Sequence, residues 1–301
     1  MRDDGARPEM GRSLAELAEA GRLSGDGRWS AVAAGIRFGL AEARAVPLRC
    51  LSYAAWACLS GALAAWILLL VHRGTPAPVF WPMLSVQAAW FCTAVFLGYV
   101  HLGLVRRDDG TPRRSFLVPN GLTLLRFTLA PMLGFTAAIA ADLRPDAPLI
   151  FWPLAVVVAS DLLDGQIARA FDLRSEWGRL ADPLADIFAV TCMAVGLWVS
   201  GALEAWLALP IIIRYSGALI AAFAVWGAGM PVRIEATVIG KATNFAVSFT
   251  LPALLAGAMM WPSWADARWL DVVQYAAAAL VYANMAYYVA RLWHVAVSGG
   301  R

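Results

Sequence analysis

Charge is scarce in this chain. Only 15% of its 301 residues are Asp, Glu, Lys or Arg, where a soluble domain carries about a quarter. Histidine occurs three times and cysteine four times. Cys50, Cys58, Cys92 and Cys192 lie scattered in apolar runs with no CxxC spacing. That pattern argues against a disulfide framework or a zinc site and reads as packed core thiols. His72, His101 and His294 fall near the ends of apolar runs and read as interfacial rather than catalytic. No apolar run starts before residue 49, so a signal peptide is not expected at the N-terminus. No internal repeat is evident. What the chain has instead is apolar length. It is 60% hydrophobic, its mean hydropathy is +0.64, and runs of about 20 apolar residues recur, the mark of a polytopic helical membrane protein.

The expected organisation follows from those runs. Residues 1–47 are polar and read as a cytosolic N-terminal segment. Ser13 to Glu19 suits a short amphipathic helix, with Arg37, Arg44 and Arg49 resting on anionic lipid, and a partly disordered cytosolic leader is the equal alternative. Residues 48–110 form a transmembrane hairpin, with spans from Leu51 to Val71 and from Val79 to Val105. Arginines precede the first span, and Arg106, Arg107, Arg113 and Arg114 follow the second, so both ends of the hairpin belong on the cytosolic side. Nothing catalytic stands out inside it, and it reads as a packing or assembly element. Residues 111–301 carry six further spans: Gly121 to Ala141, Leu149 to Phe171, Gly178 to Ser200, Trp206 to Trp226, Gly240 to Met260 and Leu270 to Trp293. Both termini then lie inside. Trp81, Trp261, Trp264 and Trp269 sit near loops, as an aromatic belt places them.

Against that background the stretch D-L-L-D-G-Q-I-A-R-A-F-D-L-R-S-E-W-G-R-L-A-D-P-L-A-D is costly. Asp161, Asp164, Asp182 and Asp186 lie in or beside membrane-spanning segments, where an ionisable group marks function by default. Asp161 and Asp164 are three apart, and Asp182 and Asp186 four apart, so on helices each pair shares a face. The two helices are joined by a short charged loop, 172–177, and are therefore antiparallel neighbours with both pairs toward the cytosolic end. Up to four carboxylates in one pocket need cations, and hard oxygen ligands suit Mg²⁺ or Mn²⁺. Gly165 and Gly178 allow close approach of a ligand, Ala168 is small, and Arg169 offers a fork to a phosphate. The residues point to a metal-bound, phosphate-handling pocket. A cation- or proton-coupled transporter using the same four acids is the alternative, and it has no evident need for the small residues.

The pattern D-x2-D-G-x2-A-R-x8-G-x3-D-x3-D resembles the signature of the CDP-alcohol phosphotransferases. All eight fixed positions are present, at Asp161, Asp164, Gly165, Ala168, Arg169, Gly178, Asp182 and Asp186. The resemblance implies an all-α membrane bundle: a six-helix core over about residues 116–296, to which the extra hairpin would bring the total to eight spans. It implies transfer of a phosphoalcohol group from a CDP-linked donor to an acceptor hydroxyl, with release of CMP. By position it implies two Mg²⁺ or Mn²⁺ ions, one held by Asp161, Asp164 and Asp182, the other by Asp161, Asp182 and Asp186. Asp186 would also be the general base. Gly165, Arg169 and Ser175 would contact the donor, with Ala168 and Gly178 completing that pocket. A homodimer is a further implication.

The run Pro119-Asn120-Gly121-Leu122-Thr123-Leu124-Leu125-Arg126 is a second match. It resembles the donor-site run of members similar to phosphatidylglycerophosphate synthase, with Asn120, Thr123 and Arg126 as donor-binding residues. Asn120 is suited to cap a helix there. A membrane-embedded site suits CDP-diacylglycerol as donor. Arg214 and Lys241 interrupt apolar sequence and point to a small anionic acceptor, sn-glycerol 3-phosphate as first choice. Inositol phosphate, phosphatidylglycerol or another alcohol stay open. Two departures bear on the acceptor: Ile187 where that branch usually has a lysine, and Tyr215 where it usually has an acid. The expected location is a bacterial cytoplasmic (inner) membrane, with the site facing the cytosol.

Overall fold

The computed structural model describes residues 33, 36–37, 40–41, 44–107, 110–227, 237–261 and 268–298, and of these only the backbone at 161–165, 169, 218, 221–227, 268–269 and 291–298. The expected leader helix at Ser13 to Glu19 lies outside the described residues. Eight long helices occur among the described residues: α1 (Pro47–Gly74), α2 (Ala77–Val100), α3 (Val118–Ala138), α4 (Ala147–Ala170), α5 (Glu176–Val199), α6 (Ala205–Gly227), α7 (Val238–Met260) and α8 (Arg268–Ser298). Five of them, α1, α2, α3, α5 and α7, are long and apolar enough to cross a membrane. Helices are what such runs must form, because hydrocarbon offers no partner to a free N–H or C=O. Pro82, Pro131, Pro153, Pro183, Pro210 and Pro252 lie inside six of the helices, as membrane helices tolerate. Leu51, Val156, Phe245 and Val289 are exposed on helix surfaces, so the outside is as apolar as the interior. The fold is that of an all-helical integral membrane protein.

Two compact units divide the chain across its helices. One comprises residues 1–63, 88–128 and 159–185. Its core joins the N-terminal hairpin to α3 and the start of α5: Tyr53, Leu102, Leu104, Val105, Phe116, Leu124 and Trp177 cluster, with Cys50, Trp56, Val95, Tyr99 and Ala181 against them. Phe116 stands edge-on to both Tyr53 and Trp177, at 5.1 and 4.8 Å between ring centroids. Gly121 has no side chain, and the Trp56 indole occupies the space a Cβ would need.

The other unit comprises residues 64–87, 129–158 and 186–301. Here α3 and α5 meet backbone to backbone. A Cβ on Gly134 would lie 2.7 Å from the Cys192 carbonyl oxygen, and one on Gly196 would overlap the Gly134 carbonyl. In the same unit α8 packs on α6 and α7, the Trp206 ring stacks on Tyr275, and the Tyr282 hydroxyl donates to the Trp206 carbonyl.

Several sequence expectations change here. The second span was expected to run to Val105, but α2 stops at Val100 and a 3₁₀ turn, Leu102–Leu104, follows. Leaving the helix axis lets Leu102, Leu104 and Val105 enter the core. Arg49 was expected on lipid. It is fully buried, its guanidinium bonded to backbone carbonyls. Of the cysteines read as packed core thiols, Cys58 and Cys92 are exposed and Cys50 and Cys192 are half-buried. In a chain whose outer face is apolar, an apolar neighbourhood does not imply the interior.

Candidate active site

α3 begins at Val118, so Asn120 lies inside its first turn rather than capping it. Asn120, Thr123 and Arg126 recur at three-residue spacing and are 2%, 1% and 2% exposed, although all are polar. They form one buried stripe. The Ser175 side chain caps α5, since the Gly178 N–H donates to Ser175 Oγ at 3.1 Å. Ser175 Oγ in turn donates to Asn120 Oδ1 at 2.8 Å. The cap that starts the Asp-bearing helix therefore ties it to the P-N-x-x-T-x-x-R stripe. One turn along α5, Asp182 Oδ1 lies 2.5 Å from Thr123 Oγ1, which also lies 3.1 Å from the Pro119 carbonyl oxygen. That bond aims a carboxylate that would otherwise rotate.

Two further observations mark this cluster as built around something. Asn120 Nδ2 is buried and has no hydrogen-bond partner among the described residues. A buried donor left without a partner costs about 1–3 kcal/mol, so Nδ2 calls for an acceptor from outside the described residues. Gly178 keeps the cradle open. A Cβ there would stand 3.0 Å from Asn120 Oδ1, 3.4 Å from Ser175 Oγ and 3.9 Å from Asp182 Oδ2. The structure thus gathers Asn120, Thr123, Ser175, Gly178 and Asp182, with Arg126 one turn further along α3.

Asp186 follows Asp182 by one turn of α5, and both are half-buried. Asp161, Asp164, Gly165 and Arg169 lie on α4, but their side chains fall outside the described residues. Ala168 is half-buried there. No group of three or more candidate metal ligands occurs among the described residues. The described half of the expected set still fits a hard divalent cation. It is all carboxylate oxygen, with two acids on one helix face and one oriented by a hydroxyl.

In the second unit, Arg214 of α6 is held by neutral partners. Nε donates to Asn284 Oδ1 at 2.9 Å, and Nη2 to Asn244 Oδ1 at 2.7 Å and to the Gly240 carbonyl oxygen at 3.4 Å. Its guanidinium carbon lies 4.7 Å from the Tyr215 ring centroid, and Tyr215 donates its hydroxyl to Asn244 Oδ1 at 3.1 Å. So Tyr215, where the resemblance led one to expect an acid, supports the arginine through its ring face. Thr237 caps α7, its side chain accepting from the Gly240 N–H at 3.0 Å. Lys241, expected buried or half-buried, is exposed on the first turn of α7. Sequence reasoning missed Asn284, which is fully buried with Nδ2 unpartnered among the described residues. The signal was an asparagine in an otherwise apolar run.

The profile of the CDP-alcohol phosphatidyltransferase family matches residues 116–299. The chain belongs to that family and is a membrane enzyme of the CDP-alcohol phosphatidyltransferase class. It is similar to a putative cardiolipin synthase of Mycobacterium tuberculosis, 29% identical over 152 residues, covering 49% of this chain and 68% of that one. It is similar to a probable phosphatidylglycerophosphate synthase of the same species, 28% identical over 131 residues, covering 40% and 63%. A CDP-diacylglycerol–glycerol-3-phosphate 3-phosphatidyltransferase of Rickettsia bellii is 27% identical over 140 residues, covering 46% and 75%. No solved structure matches the chain. Tyr53, Leu102, Leu104 and Val105, which pack in one core cluster with Leu124 of α3 and Trp177 of α5, lie before the matched region.

Proposed function

We propose that this enzyme transfers a phosphatidyl group from CDP-diacylglycerol to the hydroxyl of sn-glycerol 3-phosphate, releasing CMP. The observation that carries the acceptor class is Arg214. Its described partners are two asparagines, a carbonyl and an aromatic ring, so its positive charge remains for an anionic group. Exposed Lys241 adds a second cation at the start of α7. The name of the Rickettsia relative supports the same acceptor.

The donor cluster supplies orientation. Asn120 Nδ2 offers a donor to a polar group of the nucleotide or diphosphate, and the open face of Gly178 admits that group. Asp161, Asp164, Asp182 and Asp186 would hold two Mg²⁺ or Mn²⁺ ions, which when bound offset the negative charge of the diphosphate. Asp186 takes the proton from the acceptor hydroxyl. The hydroxyl oxygen bonds to the phosphorus that carries the diacylglycerol, and the bond from that phosphorus to the oxygen of CMP breaks. CMP leaves with the electron pair, and the proton passes to solvent. The site faces the cytosol of a bacterial cytoplasmic membrane, where CMP and glycerol 3-phosphate are soluble. The chain works as a homodimer.

A second acceptor, phosphatidylglycerol, is favoured by the name of the mycobacterial putative cardiolipin synthase. One experiment separates the readings. Purified protein in detergent is given CDP-diacylglycerol with glycerol 3-phosphate, phosphatidylglycerol, inositol phosphate or no acceptor, with and without Mg²⁺, and CMP is measured. CMP release only with glycerol 3-phosphate and metal is the expected result. Release only with phosphatidylglycerol replaces the acceptor. No release with any acceptor, together with metal or proton flux into liposomes, overturns the transferase reading.

A further inference from the structure

The buried Arg49 and the half-buried Arg113 are not used by the chemistry above, yet both are anchored to backbone. Arg49 Nε and Nη2 reach the Arg113 carbonyl oxygen at 2.9 and 2.6 Å, and Nη1 reaches the Leu102 carbonyl oxygen at 3.3 Å. The Arg113 N–H donates to the Val105 carbonyl at 3.0 Å. Arg113 is thus fixed from behind by the N-terminal hairpin and the buried 3₁₀ turn. Its own guanidinium points to the loop between the two Asp-bearing helices. Nη2 donates to the Asp172 carbonyl at 2.6 Å and to the Arg174 carbonyl at 3.0 Å.

The geometry of that loop explains what such a cation does. α4 ends with the Leu173 N–H on the Ala168 carbonyl at 2.9 Å, a closing bond that requires a left-handed residue at position 172. That residue is an aspartate, at φ +49°. Glycine is the usual occupant, since an L side chain is disfavoured there. Arg113 offsets this by holding two carbonyls of the loop itself, that of Asp172 and that of Arg174, which fixes the turn from both sides of Leu173. Arg106 holds the other side of the loop. Its Nε lies 3.2 Å from Glu176 Oε2 at the first turn of α5, and its carbonyl accepts from the Glu176 N–H at 3.3 Å. The Phe116 N–H completes the tie to the hairpin through Ser52 Oγ at 2.7 Å.

We propose that Arg113, braced by Arg49, is a positioning residue that pins the left-handed turn at Asp172 and thereby sets where Ser175, Gly178 and Asp182 stand against Asn120 and Thr123. The N-terminal hairpin is then the back wall of the donor site. The consequence for catalysis rests on the phosphatidyltransferase reading above. The clamp itself does not, and the test keeps the two apart.

The full chain in detergent is compared with Arg113→Ala, Arg113→Lys, Asp172→Gly and the double variant Arg113→Ala with Asp172→Gly. Two readouts are taken: amide hydrogen exchange over residues 171–178, and CMP release at varied CDP-diacylglycerol. Arg113→Ala is expected to speed exchange at the loop by about tenfold, the order of a left-handed L-residue's penalty. It is also expected to raise the donor KM by about tenfold while the acceptor KM holds. Glycine at 172 takes the turn without that penalty, so the double variant recovers both readouts, and Arg113→Lys recovers part of them. Unchanged loop exchange in Arg113→Ala overturns the clamp, and so does failure of Asp172→Gly to rescue. Wild-type protein that releases no CMP with any acceptor overturns the transferase reading instead, and loop exchange still decides the clamp.

Discussion

Thr123 Oγ1 and Asp182 Oδ1 are 2.5 Å apart, although 59 positions separate them in the chain. One belongs to the P-N-x-x-T-x-x-R run of α3, the other to the Asp motif of α5. Their contact makes two separate sequence patterns into one site. A hydrogen bond to a charged group contributes about 1.5–3 kcal/mol. Thr123→Val is therefore expected to lower the kcat/KM of CMP release by roughly ten- to a hundredfold. Thr123→Ser should retain most activity, and a thermal melt in detergent checks that the fold survives in both.

Gly178→Ala places a methyl 3.0 Å from Asn120 Oδ1 and 3.4 Å from Ser175 Oγ. Those neighbours have little room to give, because each holds the other by a 2.8 Å bond. The expected result is a donor KM raised about tenfold, in line with overpacking costs of about 1–3 kcal/mol. Michaelis curves against CDP-diacylglycerol at saturating acceptor measure it.

Asn284 is the counterpart for the acceptor. Asn284→Ala removes the partner of Arg214 Nε, so Arg214 should lose its aim but keep its charge. The acceptor KM is expected to rise by about tenfold, the worth of a hydrogen bond to a charged group, with the donor KM unchanged. An equal change in both constants would contradict a role confined to Arg214.

Chelation with EDTA is expected to abolish CMP release, and Mg²⁺ or Mn²⁺ to restore it. Asp186→Asn is expected to reduce kcat by roughly 10²–10⁴-fold, the usual range for loss of a general base. Manganese binding measured by electron paramagnetic resonance separates loss of the base from loss of the ion.

Gly196→Ala tests packing away from the site. Its Cβ would overlap the Gly134 carbonyl, and backbone yields less readily than a side chain. A loss of about 1–3 kcal/mol or more is expected. It should be read as a lowered melting temperature in detergent, with the donor and acceptor KM of the surviving protein unchanged.

The sequence was informative where its signal was local. Apolar runs of about 20 residues fixed the helices to within a few positions, because a backbone in hydrocarbon has few other options. Intramembrane acids at three- and four-residue spacing marked the motif helices, because period and cost are both visible in one dimension. The same reasoning failed for side chains whose partner is distant. Arg49 looked like a lipid-facing cation because its backbone acceptors, Leu102 and Arg113, are remote in sequence. Asn120 looked like a cap because its real partner, Ser175, is equally remote. Cys58 and Cys92 looked internal because apolar sequence does not distinguish a bundle interior from a lipid-facing surface.

By itself, then, the sequence determined that this is a helical membrane protein carrying a phosphatidyltransferase motif. Helix formation and the cost of buried acids are both properties of short segments. Only the tertiary structure decided that Asn120, Thr123, Ser175, Gly178 and Asp182 form one cradle. It alone showed that Arg214 is aimed by Asn244 and Asn284, and that Arg113, held from behind by Arg49, reaches the loop between the Asp-bearing helices. Those relationships are hydrogen bonds across long loops in the chain. Their geometry depends on how helices pack, and no spacing along a single helix encodes that.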